Sequence, residues 1–156
     1  MVIANAENKV PKSNPQGLVD FDWFKGKFYD KHYAWTTVTL WTQPHWVVYC
    51  PTNDRMYVCN LGSDNVSVIN PSTNTVVATI TVWSSPRWVT YCPTNDRLYV
   101  SNVSSDNVSV INPTDNTVVE TITVWDWPLW IAYCPSNNRM YVTNSLSNNI
   151  QQISFI

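Results

Sequence analysis

The sequence predicts an all-β fold made of repeated four-stranded units, and two observations support this. The stretch 83–112 occurs almost letter for letter 42 residues earlier and recurs, in a looser form, 42 residues later. Each copy contains four short segments of β-branched and aromatic residues, separated by turn residues. Such a period indicates a repeat architecture, and four antiparallel strands in about 42 residues form one blade of a β-propeller.

The four strands of the first repeat are delimited by clusters of Pro, Asn, Asp and Gly. In the last of them Val and Ile alternate with Thr, which is typical of a half-exposed strand. We label the strands A to D and predict them at residues 46–50, 56–60, 66–70 and 76–82.

The chain divides into an N-terminal arm and a repeat region. Residues 1–32 do not follow the repeat and are predicted to form an extended arm, whose aromatic residues Trp23, Phe24 and Phe28 pack on another subunit. Packing on the chain's own domain is the alternative. Residues 33–156 are predicted to be a three-blade segment, with a D strand at 34–41 followed by repeats 42–83, 84–125 and 126–156.

The two ends of the repeat region predict strand exchange between copies. Residues 34–40 align with the D strand at 118–124, whereas the last repeat contains strands A to C alone. An unpaired C strand is an edge prone to aggregation. We therefore expect a D strand from another copy to cover it, so that other subunits complete the ring or array. The predicted assembly residues in these strands are Ala34, Val38, Leu40, Ile150, Ile153 and Phe155.

Composition excludes several classes of partner. The net charge is −2 and 13% of the residues are charged, so the sequence lacks the basic patch of a nucleic-acid-binding protein. No apolar run approaches the roughly 20 residues that span a membrane. Residues 1–14 do not read as a secretory signal, which predicts synthesis in the cytoplasm, with export by another route such as lysis left open.

The four cysteines are predicted to be free thiols. Cys50, Cys92 and Cys134 occupy the same place in successive repeats, so the fold holds them a blade apart. Disulfides require Cα atoms within about 7 Å. Cys59 lies across a hairpin from Cys50 but out of register with it. Buried thiols in a reducing compartment fit this spacing, and no metal site is predicted because no histidine accompanies them.

The second strand of each repeat carries a family signature. Residues 57–60, 99–102 and 141–144 read Tyr-Val-Cys-Asn, Tyr-Val-Ser-Asn and Tyr-Val-Thr-Asn. Over residues 34–156 the chain resembles the YVTN family of β-propeller repeats. Propellers need about four blades or more to close, so this resemblance implies that three blades close with other copies. A dimer with six blades is preferred, and a trimer or an open fibre are the alternatives.

Tryptophan stands where the resembled family usually has glycine, in and next to the connection from strand D to the next strand A. Either the indoles form an aromatic rim for stacking ligands such as sugars, or these are UGA codons that the source reads as glycine. Glycine at such turns allows a positive φ or a close backbone approach. The residues concerned, which are also the predicted binding residues, are Trp41, Trp46, Trp83, Trp88, Trp125, Trp127 and Trp130.

The sequence contains no motif of a catalytic or cofactor site. It has no Ser/His/Asp or Cys/His set and no Gly-rich phosphate loop, so we predict a non-enzyme without a cofactor. Asp54–Arg55 and Asp96–Arg97 are interpreted as hairpin ion pairs. The leading hypothesis is a structural or assembly protein, for instance of a phage capsid or tail. The alternative is a module that binds glycans or proteins at a surface, for adhesion or recognition.

Overall fold

The computed structural model describes residues 36–155, which contain three antiparallel sheets. Sheets 1 and 2 each have four strands and sheet 3 has three, always in chain order. The strands are β1 (Pro44–Cys50), β2 (Arg55–Asn60), β3 (Asn65–Asn70), β4 (Thr75–Thr81), β5 (Pro86–Cys92), β6 (Arg97–Asn102), β7 (Asn107–Asn112), β8 (Thr117–Thr123), β9 (Pro128–Cys134), β10 (Arg139–Asn144) and β11 (Asn149–Ser154).

The all-β prediction is confirmed, and the predicted strands agree with the observed ones within two residues. Repetition of sequence produces repetition of geometry. Val66 pairs with Ile80 in sheet 1 and Val108 with Ile122 in sheet 2, in the same register. The tight turns place Asp or Asn at a left-handed φ, a conformation that these two residue types tolerate.

The hydrophobic core lies between neighbouring sheets. One cluster joins residues of sheet 1, such as Tyr57 and Val66, to Val89 and Leu98 of sheet 2. A second cluster joins Val108 and other residues of sheet 2 to sheet 3. Burial of one such aliphatic side chain contributes about 1.5–3 kcal/mol, so each sheet depends on its neighbours for stability.

A buried asparagine ends the second strand of each sheet and binds the start of the third. In sheet 2, Asn102 Nδ2 donates to Asn107 Oδ1 at 2.8 Å and to Ser109 Oγ at 2.9 Å. Asn60 and Asn144 donate in the same way to Asn65 and Asn149. The asparagine of the sequence signature therefore ties two strands together at their connecting turn.

Replacement of Asn102 by Ala is expected to lower the free energy of unfolding by about 1–3 kcal/mol, because two buried polar groups lose their donor. Urea unfolding followed by circular dichroism measures this loss. Thr114→Ala, in an exposed turn of the same sheet, is the control and should leave the midpoint in place. An unchanged midpoint for N102A would contradict the role of this asparagine.

The predicted D strand at 34–40 is not observed in its described part, residues 36–40, which form no strand. A strand needs a hydrogen-bonding neighbour, and none of the described strands pairs with these residues. Val38 and Leu40 are half-buried, Ile150 is exposed, Ile153 is buried, and Phe155 packs against Tyr99. The arm 1–32, with Trp23, Phe24 and Phe28, and also Ala34, lie outside the described residues.

Candidate functional site

Two kinds of connection meet at one end of the sheets, which we call the loop end. The connection into each first strand bonds to the turn between the second and third strands of the same sheet. Leu61 N donates to Gln43 O at 2.9 Å in sheet 1, and Ser145 N donates to Trp127 O at 2.9 Å in sheet 3. The tryptophans singled out in the sequence lie in or beside these connections.

Carboxylates at the loop end support the backbone. Asp64 Oδ1 accepts a hydrogen bond from Ser85 N at 2.8 Å, and Asp106 Oδ1 accepts one from Trp127 N at 2.9 Å. Each aspartate thereby fixes the connection that leads into the following sheet. Among residues 36–155, no group of three or more His, Cys, Asp or Glu is arranged to hold a metal ion.

Three indoles, one per repeat, form an exposed set that we call the outer indoles: Trp41, Trp83 and Trp125. Their exposed fractions are 54%, 53% and 60%. Trp41 Nε1 donates to Thr79 Oγ1 at 3.3 Å, and Trp83 Nε1 donates to Thr121 Oγ1 at 3.2 Å. The first two rings are therefore held by a threonine of the outer strand, β4 or β8, with about half of their surface open to solvent.

A second set, the inner indoles, occupies the third position of each first strand: Trp46, Trp88 and Trp130. Trp46 stacks on Trp88 with ring centroids 3.3 Å apart and planes 18° from parallel. Trp88 meets Trp130 edge-on, with centroids 6.4 Å apart and an angle of 87°. The inner indoles therefore contact one another, although Trp46 and Trp130 remain 39% and 52% exposed.

The geometry bears on the choice between tryptophan and glycine. Among the seven positions, Trp127 alone has a left-handed φ, 61°, where a bulky side chain is strained. The 3.3 Å separation of Trp46 and Trp88 is closer than the 4.5–7 Å that aromatic pairs prefer. Conformation or crowding thus favours a small residue at positions 46, 88 and 127. Neither a left-handed φ nor a crowded ring contact favours a small residue at the outer indoles.

The opposite end of the sheets carries a polar cluster that the sequence analysis missed. Asp96 Oδ1 accepts hydrogen bonds from Tyr91 OH, at 3.0 Å, and from Thr52 Oγ1 of the preceding sheet. Arg97 Nη1 donates to the backbone oxygen of Asp96 at 2.8 Å, so the predicted hairpin ion pair is wrong. The sequence contained a signal for this cluster, because a Tyr and a Thr or Ser recur at the same place in each repeat.

The four thiols differ in environment. Burial raises the pKa of Cys59 and of Cys50, whereas a hydrogen bond from Ser136 lowers the pKa of Cys134. Cys50, Cys59 and Cys92 are buried, and Cys134 is half-buried.

In a single copy of the chain, which high dilution provides, Cys134 is expected to react first with a thiol reagent. Its thiolate forms at a lower pH than that of an ordinary cysteine, since the hydrogen bond stabilises the charged form. Ser136→Ala should move the pH midpoint of the reaction upward. The denatured, unreduced chain should titrate as four thiols, and a lower count would reveal a disulfide.

Comparisons with known proteins identify the architecture. Residues 41–117 match the family described as "Lactonase, 7-bladed beta-propeller". Hydrazine synthase of Kuenenia stuttgartiensis is similar in structure, with a TM-score of 0.62 and 24% identity over 75% of this chain and 32% of that one. No curated protein sequence matches. The chain is a β-propeller repeat protein of all-β fold.

Two further solved propellers are similar to this chain. A putative 6-phosphogluconolactonase from Bacteroides uniformis has a TM-score of 0.54 and 18% identity, over 65% of this chain and 33% of that one. Dihydro-heme d1 dehydrogenase NirN has a TM-score of 0.62 and 14% identity, over 72% and 25% respectively. The chain thus spans a third or less of the length of all three structures.

These matches correct the functional prediction. The hypothesis of a structural or virion protein is wrong, because the family model that matches residues 41–117 describes a lactonase propeller and not a structural protein. The lactonase match also points toward enzymatic activity, against the prediction of a non-enzyme. Repeats without a recognisable catalytic motif are compatible with any of these functions, because fold and function are separable.

Proposed function

We propose that this protein is a binding propeller that recognises glycans through its outer indoles. The observation that carries the proposal is the equivalence of Trp41, Trp83 and Trp125, which recur once per repeat with about half of each ring exposed. An exposed indole with an anchored Nε1 offers an apolar ring face, and amphipathic aromatic rings suit ligands that combine apolar and polar surface.

Equivalent platforms on one chain favour a repetitive ligand. A glycan that occupies two platforms binds the second at high effective concentration, so avidity exceeds the affinity of either site. A polysaccharide should therefore bind more tightly than its monosaccharide. A ligand that contacts one platform alone would show no such gain.

Replacement of the outer indoles by alanine tests this function. The triple variant W41A/W83A/W125A is expected to lose binding to a panel of polysaccharides, whereas each single variant loses part of it. Val119→Ala is the matched control, because Val119 is equally exposed on an outer strand but is not aromatic. Unchanged polysaccharide binding by the triple variant, measured by calorimetry, would overturn the proposal.

Lactone hydrolysis is the second candidate function, and the family match over residues 41–117 favours it. The loop end supplies carboxylates for such a reaction, those of Asp64 and Asp106, together with Asp126 of a connection. The test is the rate of δ-gluconolactone ring opening with and without the protein. If the rate equals that in buffer alone, lactone hydrolysis is excluded, and the proposal of glycan binding still stands.

As a finer assignment, we propose that the repeats are of the YVTN type and that two three-bladed copies pair by strand exchange. Residues 36–40 of one copy would add to the free edge of β11 in the other. A groove of about 370 Å³ beside this edge supports the proposal, since Glu120, Ile122 and Phe155 line it. In sheets 1 and 2 the corresponding edge is covered by β4 and β8.

Removal of residues 1–41 is expected to convert a dimer into a monomer. The truncated chain should keep its sheets, because all eleven strands of the described region lie between Pro44 and Ser154. Light scattering gives the mass, and far-ultraviolet circular dichroism reports the sheets. A truncated chain that remains folded with the parent mass would exclude strand exchange.

A further inference from the structure

Each junction between sheets joins the same two surfaces. We call the face that a sheet turns to the preceding sheet its leading face, and the face that it turns to the following sheet its trailing face. At the first junction, Val66 on the trailing face of sheet 1 and Val89 on the leading face of sheet 2 belong to one buried cluster. At the second junction, Val108 and Ile131 take these places.

Two faces have no neighbouring sheet among the described residues, and each exposes an apolar residue that is buried at the other junctions, although Val58 and Ile69 of the leading face of sheet 1 stay buried. On the leading face of sheet 1, Val47 is 50% exposed, whereas its equivalents Val89 and Ile131 are 0% and 2% exposed. On the trailing face of sheet 3, Ile150 is 62% exposed, whereas Val66 and Val108 are fully buried. Each end thus presents one half of an apolar junction.

The polar cluster at the end of the sheets opposite the loop end is divided in the same manner. Where sheets meet, Thr52 bonds to Tyr91 and Asp96 of the next sheet, and Thr94 bonds to Tyr133 and Asn138. On the leading face of sheet 1, Tyr49 OH donates to Asp54 at 3.1 Å, so the tyrosine and the carboxylate of the cluster are in place without the hydroxyl of a preceding sheet. The hydroxyl half belongs to Ser136, which stands at the trailing end in the place of Thr52 and Thr94.

We infer that the leading face of sheet 1 is a docking surface for the trailing face of sheet 3 of a second copy of this chain. Ser136 of that copy donates to the Tyr49–Asp54 pair, and Ile150 packs on Val47. Within the chain, Ser101 donates to the backbone oxygen of Leu129 at 2.9 Å. Across the proposed junction, Thr143 takes the place of Ser101 and donates to the backbone oxygen of His45, the equivalent of Leu129. The inference deepens the proposed pairing of copies and rests on it, but it is independent of sugar binding.

One residue departs from the repeat on this surface. Gln152 replaces Val68 and Val110, and its Oε1 accepts a hydrogen bond from Tyr141 OH at 3.3 Å. Its amide therefore enters the junction with a partner from its own sheet, which limits the cost of burial. Strand exchange is compatible with this docking, because residues 36–40 lie immediately before β1, as β4 lies before β5.

The test uses the full chain and measures mass by light scattering at several concentrations. Val47→Asp and Ile150→Asp are each expected to abolish the dimer, since each places a carboxylate in an apolar junction. Val77→Asp is the matched control, because Val77 is 51% exposed on an outer strand away from both faces. Circular dichroism should show intact sheets in all three variants.

A charge pair distinguishes this docking from any other contact. Asp54→Lys and Ser136→Glu alone should each weaken the dimer by about tenfold or more, through loss of a charge-assisted hydrogen bond or through repulsion. The double variant D54K/S136E restores opposite charges across the junction and should recover most of the affinity. Cys134, on the docked face, should react slowly in the wild-type dimer and rapidly in V47D.

The outcomes separate this inference from the proposal on which it rests. A wild-type chain that is monomeric at all concentrations overturns the pairing of copies and the docking together. A dimer that survives V47D and I150D overturns the docking alone and leaves strand exchange in place. Failure of D54K/S136E to recover affinity would show that Asp54 and Ser136 do not face each other.

Discussion

Replacement of Val108 by Asp is expected to unfold the chain at neutral pH. Val108 is fully buried in β7 and belongs to the cluster between sheets 2 and 3. Burial of an unpaired carboxylate there costs several kilocalories per mole, which is comparable with the whole stability of a small domain. Circular dichroism should show loss of the β signal, or a urea midpoint close to zero.

The matched control is Val119→Asp, in the adjacent outer strand β8 of the same sheet. Val119 is exposed, so a carboxylate there stays hydrated and should change the free energy of unfolding by less than about 0.5 kcal/mol. Equal stability of the V108D and V119D variants would show that the core between sheets 2 and 3 does not hold the fold together.

The pH dependence of V108D has a definite sign. A buried carboxyl has a folded pKa above its unfolded pKa, because burial penalises the charged form. Its protonated form is therefore favoured in the folded state, and the stability of the variant falls as pH rises between the two pKa values. Relative to wild type, V108D should thus be less destabilised at pH 4 than at pH 7.

The strands and turns could be predicted because they depend on local chemistry repeated three times. Asp64 and Asp106 stand at turns that need a left-handed residue, and the segments between the turns alternate as strands do. Because the repeat occurs three times, each strand and turn could be compared in three copies of the sequence. A single copy of 42 residues would have left the short apolar segments ambiguous between strand and helix.

The contacts between sheets could not be predicted from the residues alone. Recognition of the Tyr91–Asp96–Thr52 cluster requires knowledge of which turn faces which, and this depends on the stacking of whole sheets. Asp96 and Arg97 are adjacent in sequence, which suggested an ion pair, but the Asp96 carboxylate accepts hydrogen bonds from Thr52 of the neighbouring sheet and from Tyr91 instead. The functional class was missed for a related reason, since propellers of different function share their repeat pattern.

Peptide mass spectrometry of the natural protein across residues 81–97 is expected to decide between tryptophan and glycine. The fragment contains Trp83, an outer indole, and Trp88, an inner one, and the two residue types differ greatly in mass. The structure gives a reason to expect glycine at 88, where two rings crowd to 3.3 Å, but none at 83, where the ring lies in the open. If both codons are UGA, both positions give the same answer, because one codon has one meaning in the source.

Tryptophan at both positions would retain the outer indoles, and with them the proposed glycan site, since exposed aromatic groups in a repeated pattern indicate a partner. Glycine at both would remove that site and relieve the contact between positions 46 and 88. It would also explain why Trp127 lies at a φ of 61°, which glycine adopts without strain. The docking of sheet 1 on sheet 3 would survive either result, because none of its contacts uses an indole.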